Sequence, residues 1–169
     1  MSFAPLTLEK LAAKLPAKAR LIGVDLGTKT IGLALSDVER RIATPLVTLA
    51  RAQFSRDAPA LIEQIRKFDA VALILGLPLN LDGGEGPRVQ ATRAFARNFA
   101  SLDPTPIAFW DERFSTAVVN RALIANDVSR ARRAEVVDRM AAAYILQGAL
   151  DGLARIARAA EPPGDRGAD

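Results

Sequence analysis

Four acidic residues lie in segments whose other residues are mostly apolar. Asp25 interrupts the run RLIGVDL, and Asp111 and Glu112 directly follow the run PIAFW. Asp138 stands just before three consecutive alanines in VVDRMAAAYIL. A charge buried in such a segment costs several kcal/mol unless it is paired or bound to a metal ion. These acids are therefore the first candidates for chemistry.

Their positions predict one cluster of oxygen ligands. Side chains alternate between the two faces of a strand, so only one of Asp111 and Glu112 can face the same way as Asp25. The alanines after Asp138 allow its helix to approach a sheet closely, which carries this acid towards the strand ends. Two strand-end carboxylates and one helix carboxylate suit Mg²⁺ or Mn²⁺. Two such cations about 3.5–4 Å apart can activate water and stabilise the leaving oxygen in phosphodiester cleavage.

Structural roles explain the same acids. Asp25 could accept hydrogen bonds from the N–H groups of turn 27–29, and Asp111 with Glu112 could cap a following helix. Asp138 could pair with an arginine of its own helix. Spacing alone does not separate these roles from metal binding.

The composition excludes most other classes of hydrolase active site. The chain has 169 residues with neither His nor Cys, which excludes Ser-His-Asp triads, thiol nucleophiles and zinc fingers. There are 23 Lys+Arg against 19 Asp+Glu, and residues 113–158 contain arginines but no lysine. Arginine binds phosphate through a bidentate fork, so this pattern fits a phosphate-bearing partner or, equally, a solvated helix face.

The elements that must position the acids follow from apolar periodicity and turn residues. A short helix is predicted from its N-cap Thr7 to Leu15. The missing N–H of Pro45 places the predicted strand Ile42–Leu49 at an edge of the sheet or at a bulge. Strands are predicted at Arg20–Leu26, Ile31–Ser36, Ile42–Leu49, Ala70–Leu75 and Pro106–Trp110. Further helices are predicted at Ala58–Phe68, Pro87–Ala100, from Ser115 or Thr116 to Ala125, and at Arg130–Arg158.

This order predicts an α/β fold with a mixed sheet covered by helices. We expect a helical extension over residues 1–19, one domain over residues 20–158 and a disordered tail over residues 159–169. The longest uncharged stretches, Ala70–Leu81 and Met140–Leu150, are shorter than a membrane span, and the N-terminus has no signal-peptide core. A cytoplasmic protein without a membrane partner is therefore expected.

Four ordered motifs carry a resemblance to a known family. They are IGVDLGTKTIGLALSD, LILGLPLNLDGGEGPR, FWDERFST and VVDRMAAAYILQ, and they span about Arg20 to Leu150. The chain resembles the pre-16S rRNA nuclease family, a branch of the ribonuclease-H-like superfamily that is similar to Holliday-junction resolvases. DLGTKT is also similar to the phosphate loop of actin-like ATPases, but 169 residues cannot supply the two domains that those proteins need.

The resemblance implies a ribonuclease-H-like, five-stranded mixed sheet flanked by helices. It also implies a Mg²⁺- or Mn²⁺-dependent nuclease that processes the 5′ end of precursor 16S rRNA during ribosome biogenesis. The family's three metal-binding, catalytic acids fall on Asp25, Glu112 and Asp138, which leaves Asp111 as a neighbour of the site. Precursor rRNA and ribosomal particles are the implied partners. The alternatives are a resolvase acting on DNA junctions and a non-catalytic rRNA-binding assembly factor. The protein is expected to be a monomer or a homodimer.

The motifs also imply nucleic-acid contacts. Lys29 is expected at the scissile phosphate, with Thr28 and the N–H groups around Gly27 forming a phosphate-binding nest. Val136 stands where the family often has lysine, so that contact passes to an arginine of the same helix. The full set of predicted nucleic-acid-binding residues is Thr28, Lys29, Asn80, Arg88, Arg93, Arg113 and Arg133. Trp110 and Phe114 flank the acids, and we expect both to be buried in the core rather than to stack on a base.

Overall fold

The computed structural model describes residues 3–114 and 130–162, with side chains from residue 139 onward in the second range. The strands are β1 (Arg20–Leu26), β2 (Thr30–Ser36), β3 (Ala43–Ala50), β4 (Ala70–Leu77) and β5 (Ile107–Asp111). The helices are α1 (Leu8–Lys14), α2 (Phe54–Lys67), α3 (Pro87–Leu102) and α4 (Arg130–Ala160), and a 3₁₀ turn covers Glu112–Phe114. The helix predicted from Ser115 or Thr116, and most of the predicted tail, lie outside the described residues.

The strands form one sheet in the order β3-β2-β1-β4-β5. β1 pairs antiparallel with β2, and β2 with β3, whereas β1 pairs parallel with β4, and β4 with β5. The predicted five-stranded mixed sheet is confirmed. Pro45 lies on the edge strand β3, where the register with β2 shifts between Leu33 and Ala34. A bulge on an edge strand is where a residue without an N–H is tolerated.

Each face of the sheet is covered by helices. One face packs against α4 and α1 through small and branched residues such as Leu21, Ala72, Ile74, Leu146 and Ala149. The opposite face packs against α2 and α3 through Val24, Leu73, Leu75, Phe95 and Phe99. Because alternate residues of a strand face opposite sides, this division assigns every strand residue to one face.

Helix α4 lies directly on β1 because β1 has no side chain at Gly23. A Cβ at Gly23 would lie 2.6 Å from the Leu146 Cβ and 2.9 Å from the Ala142 carbonyl oxygen. The Gln147 amide fixes this arrangement at the start of β3, where it donates to the Arg41 carbonyl and accepts from the Ala43 N–H, both at 2.9 Å. Ala43 pairs with Ser36 at the end of β2. The N-terminal part of α4 therefore points towards the carboxyl end of β1.

Helix α2 begins four residues earlier than the predicted Ala58. Phe54 packs edge-on against Phe95, with ring centroids 5.5 Å apart, which holds the first turn against the core. The Gln53 carbonyl accepts the first helical N–H groups, and the Asp57 carboxylate accepts from the Ala52 N–H at 3.0 Å. Long-range aromatic packing thus extends the helix beyond its periodic segment. None of the helices in the described part of the chain is long and apolar enough to cross a membrane.

Candidate functional site

Two of the predicted acids face the same side of the sheet. Asp25 shares the α4 face with Leu21 and Gly23 because it follows them at intervals of two residues. Glu112 follows Trp110 in the same way and lies just beyond β5. Both carboxylates are buried, with 2% of Asp25 and 4% of Glu112 exposed.

Asp25 and Glu112 both lie beside Gly76 of β4. The register pairs Val24 with Leu75, so the next residues, Asp25 and Gly76, lie side by side at the carboxyl end of the parallel strands. A Cβ built on Gly76 would lie 2.6 Å from Glu112 Oε1 and 2.5 Å from Ile145 Cδ1. The carboxylate of Glu112 therefore occupies space that any side chain at position 76 would fill.

Asp138 belongs to α4, and its side chain lies outside the described residues. Its backbone position follows from the helix: Asp138 precedes Ala142 by about one turn, or about 6 Å along the axis. Asp25 lies two residues, or about 6.6 Å, beyond Gly23, against which Ala142 packs. The same helical face thus runs from Ala142 towards the edge of the sheet that holds Asp25 and Glu112.

This arrangement fits a divalent cation. Buried carboxylate oxygens are the ligands that hard cations such as Mg²⁺ and Mn²⁺ prefer, and the absence of a side chain at Gly76 gives the Glu112 carboxylate its place at the end of β4. Among the described side chains no group of three acids is assembled. Asp25 and Glu112 would supply two ligands, and Asp138, the predicted third, belongs to α4.

Asp111 belongs to a separate arrangement. It pairs opposite Leu77, on the face turned away from Asp25, and its carboxylate binds Arg113 through Nε at 3.0 Å and a terminal nitrogen at 2.6 Å. It also accepts from the Arg113 N–H at 3.0 Å, so it caps the 3₁₀ turn. These hydrogen bonds from Arg113 hold the pKa of Asp111 below its usual value.

Some of the predicted nucleic-acid-binding residues bind other side chains of the protein, and others are exposed. Arg93 binds Glu85 and lies over the Phe109 ring, 5.4 Å from its centroid, while Arg113 is held by Asp111. Four others are exposed after the carboxyl ends of β1 and β4, namely Thr28, Lys29, Asn80 and Arg88. Within the described ranges neither Lys29 nor Arg88 forms an ion pair. The side chain of Arg133 is outside the described residues.

Trp110 and Phe114 differ from each other. Trp110 is 8% exposed and lies against Gly148 of α4, which confirms its predicted burial. The prediction that Phe114 is also buried is wrong, since 74% of it is exposed. It follows the end of β5 in the 3₁₀ turn, with the Arg113 guanidinium 5.7 Å from its ring centroid. The strand that buries Trp110 has ended before Phe114.

Two residues near the acids were missed in the sequence. The predicted strand Ala70–Leu75 stops before Gly76, although a glycine between apolar residues at a strand end is a usual sign of a close approach. Arg51 follows β3 and donates from a terminal nitrogen to the Gly27 carbonyl, next to the β1–β2 turn. No local pattern connects residues so far apart in the chain.

Substitution of Gly76 by alanine is expected to reduce activity more than stability. The new Cβ would contact the movable ends of two side chains, Glu112 and Ile145, and would displace the Glu112 carboxylate. We expect cleavage to fall by about tenfold or more, because small misplacements of positioned groups have large kinetic effects. Thermal unfolding and cleavage rates of the purified variant measure both. Equal activity with a lower melting temperature would contradict this role of Gly76.

The fold is ribonuclease-H-like. It matches the solved structure of RuvC from Thermus thermophilus with a TM-score of 0.52 at 16% identity, over 82% of this chain and 96% of that one. The chain belongs to the RuvX family, described as Holliday junction resolvase, whose family model matches residues 19–152.

Named relatives are similar over nearly their whole length. A protein of Methylocella silvestris is 66% identical over 89% of this chain and 94% of its own, and one of Beijerinckia indica is 58% identical over 92% and 94%. A protein of Rhodopseudomonas palustris is 59% identical over 91% and 96%. All three carry the name "Putative pre-16S rRNA nuclease".

Proposed function

We propose that this protein is a divalent-metal-dependent nuclease that processes the 5′ end of precursor 16S rRNA. The observation that carries the proposal is that two buried acids, Asp25 and Glu112, both lie beside Gly76 on the face of the sheet that α4 covers. The names of the relatives supply the RNA substrate. The protein would then act in ribosome assembly, in the cytoplasm.

In this proposal Asp25, Glu112 and Asp138 hold Mg²⁺ or Mn²⁺ at the carboxyl end of β1 and β4. When bound, the metal would supply an activated water and charge stabilisation at the leaving oxygen of the phosphodiester. The protein fixes the acids on β1, on the 3₁₀ turn after β5 and on α4, so they do not need to reorganise during the reaction. With no histidine in the chain, no imidazole takes part in proton transfer.

We propose that the available polar groups orient the RNA. Lys29 and Thr28 lie in the turn that directly follows Asp25, and Asn80 and Arg88 lie in and after the loop that follows Gly76. Arg93, Arg113 and Arg133 would make further contacts, the first two after exchanging a carboxylate partner for phosphate. Such contacts supply affinity and position rather than sequence recognition.

The experiment is a cleavage assay on a 5′-extended 16S rRNA precursor in Mg²⁺, in Mn²⁺ and in EDTA. A four-way DNA junction is assayed in parallel, because the family description favours junction cleavage as the second candidate. We expect the RNA to be cut near the mature 5′ end in either metal and to remain intact in EDTA. Cleavage of the junction alone would establish the resolvase instead. RNA binding without cleavage in any metal would leave a non-catalytic assembly factor.

A further inference from the structure

A cavity of about 220 Å³ lies at the carboxyl end of β1, on the face opposite the acids. It is lined by the end of β1 and its turn, by Arg51 after β3, and by the start of α3 with Arg88. Leu26, which directly follows Asp25, belongs to the core under α2 and α3 and lines this cavity. The cavity and the acids are therefore on opposite sides of the same strand end.

The lining is cationic. Two arginines contribute to it, and no acidic residue of the described chain does. Two guanidinium groups at one cavity repel each other unless an anion lies between them. A cavity lined by two arginines and by no carboxylate of the described chain suits an anion better than a structural ion pair.

The two arginines differ in the contacts that they make within the protein. Arg51 donates one terminal nitrogen to the Gly27 carbonyl, and its backbone N–H donates to the Lys29 carbonyl at 2.9 Å. These bonds fix the arginine at the turn, and within the described part of the chain most of its five N–H donors have no other partner. Arg88 is exposed and forms no ion pair within the described residues, so its charge is available to a ligand.

We infer that this cavity binds a backbone phosphate of the substrate strand, close to the scissile phosphate. Arg51 and Arg88 would hold it through charge-assisted hydrogen bonds, with the exposed Thr28 hydroxyl at the cavity's edge. A strand crossing the end of β1 would pass from the acids over the Gly27 turn into the cavity. This inference rests on the proposed nuclease function and adds Arg51 to the surface that positions the RNA.

The test measures binding of the 5′-extended precursor RNA to the catalytically inactive Glu112→Gln protein at several salt concentrations. Arg88→Gln and Arg51→Gln, each added to it, are expected to weaken binding by about three- to tenfold. Each should also reduce the slope of log K against log salt by about 0.7, as expected for one lost contact to a single-strand phosphate. Arg97→Gln is the matched control, because Arg97 is also exposed on α3, about 13 Å further along the helix. It should change binding by less than about twofold.

The outcomes separate this inference from the proposed function. Equal weakening by Arg97→Gln, or unchanged salt slopes for Arg88→Gln, would overturn the phosphate subsite while leaving the nuclease intact. If the active protein cuts only the DNA junction, the same variants are measured on that junction. Their expected slope change is then about 0.9, and its absence would overturn the subsite. Arg51 also supports the turn, so circular dichroism is used to check that the Arg51→Gln protein is folded. If that variant is unfolded, the Arg88→Gln result alone decides the test.

Discussion

Asp25→Asn, Glu112→Gln and Asp138→Asn are each expected to lower the rate of RNA cleavage by at least about a hundredfold. Each substitution keeps the size of the side chain but removes one anionic ligand from the proposed metal centre. Loss of several kcal/mol of transition-state stabilisation corresponds to this factor, since each 1.36 kcal/mol is tenfold in rate. Single-turnover cleavage of the 5′-extended precursor at saturating Mg²⁺ measures the effect.

Asp111→Asn is the matched control for Glu112→Gln. The two acids are adjacent in the chain, but Asp111 faces away from Asp25 and is held by Arg113. We expect its loss to reduce cleavage by less than about tenfold. If Asp111→Asn is as inactive as Glu112→Gln, the separation of the two acids by strand alternation is wrong. If the Asp138→Asn protein retains full activity, the third ligand must be sought elsewhere.

Gly23→Val is expected to destabilise the fold by more than about 3 kcal/mol. Even the first added carbon would lie 2.6 Å from the Leu146 Cβ and 2.9 Å from the Ala142 carbonyl, both fixed to the backbone of α4. Neither atom can move without moving the helix, so the cost exceeds that of an ordinary overpacked site. A lowering of the melting temperature by roughly 6–12 °C is expected for a chain of this length, measured by calorimetry or circular dichroism.

Gly86→Ala provides the comparison for this substitution. A Cβ at Gly86 would meet its nearest atoms, those of Asn80, only at 4.0 Å. Its melting temperature should remain within about 2 °C of the original protein. A Gly23→Val protein as stable as Gly86→Ala would show that α4 does not depend on close contact with β1.

Much of the site could be predicted from the sequence because strand alternation is a local rule. Asp25 follows Gly23, and Glu112 follows Trp110, so the face that each acid shares with α4 is set within its own segment. The four motifs then identified which acid of the DE pair faces inward. Asp25 and Glu112 are buried on this face, and the side chain of Asp138 lies outside the described residues. The role of the three acids as metal ligands stays a prediction.

What could not be predicted depends on contacts between distant segments. The start of α2 is set by the packing of Phe54 on Phe95, 41 positions later in the chain. Arg51 reaches the β1–β2 turn only because β3 pairs with β2, and no spacing rule records that meeting. Phe114 is exposed because its strand ends at Asp111, and such boundaries are the least certain part of any sequence-based assignment.

The two bonds of Gln147 determine more than the packing of α4. A helix behaves as a stiff rod, so an anchor at one point sets the axial position of every residue on it. Gln147 is nine residues from Asp138, about 13 Å along the rod, and it is tied to the backbone at Arg41 and Ala43. The axial position of Asp138, the proposed third ligand, is thus set by hydrogen bonds at the opposite end of the sheet from Asp25 and Glu112.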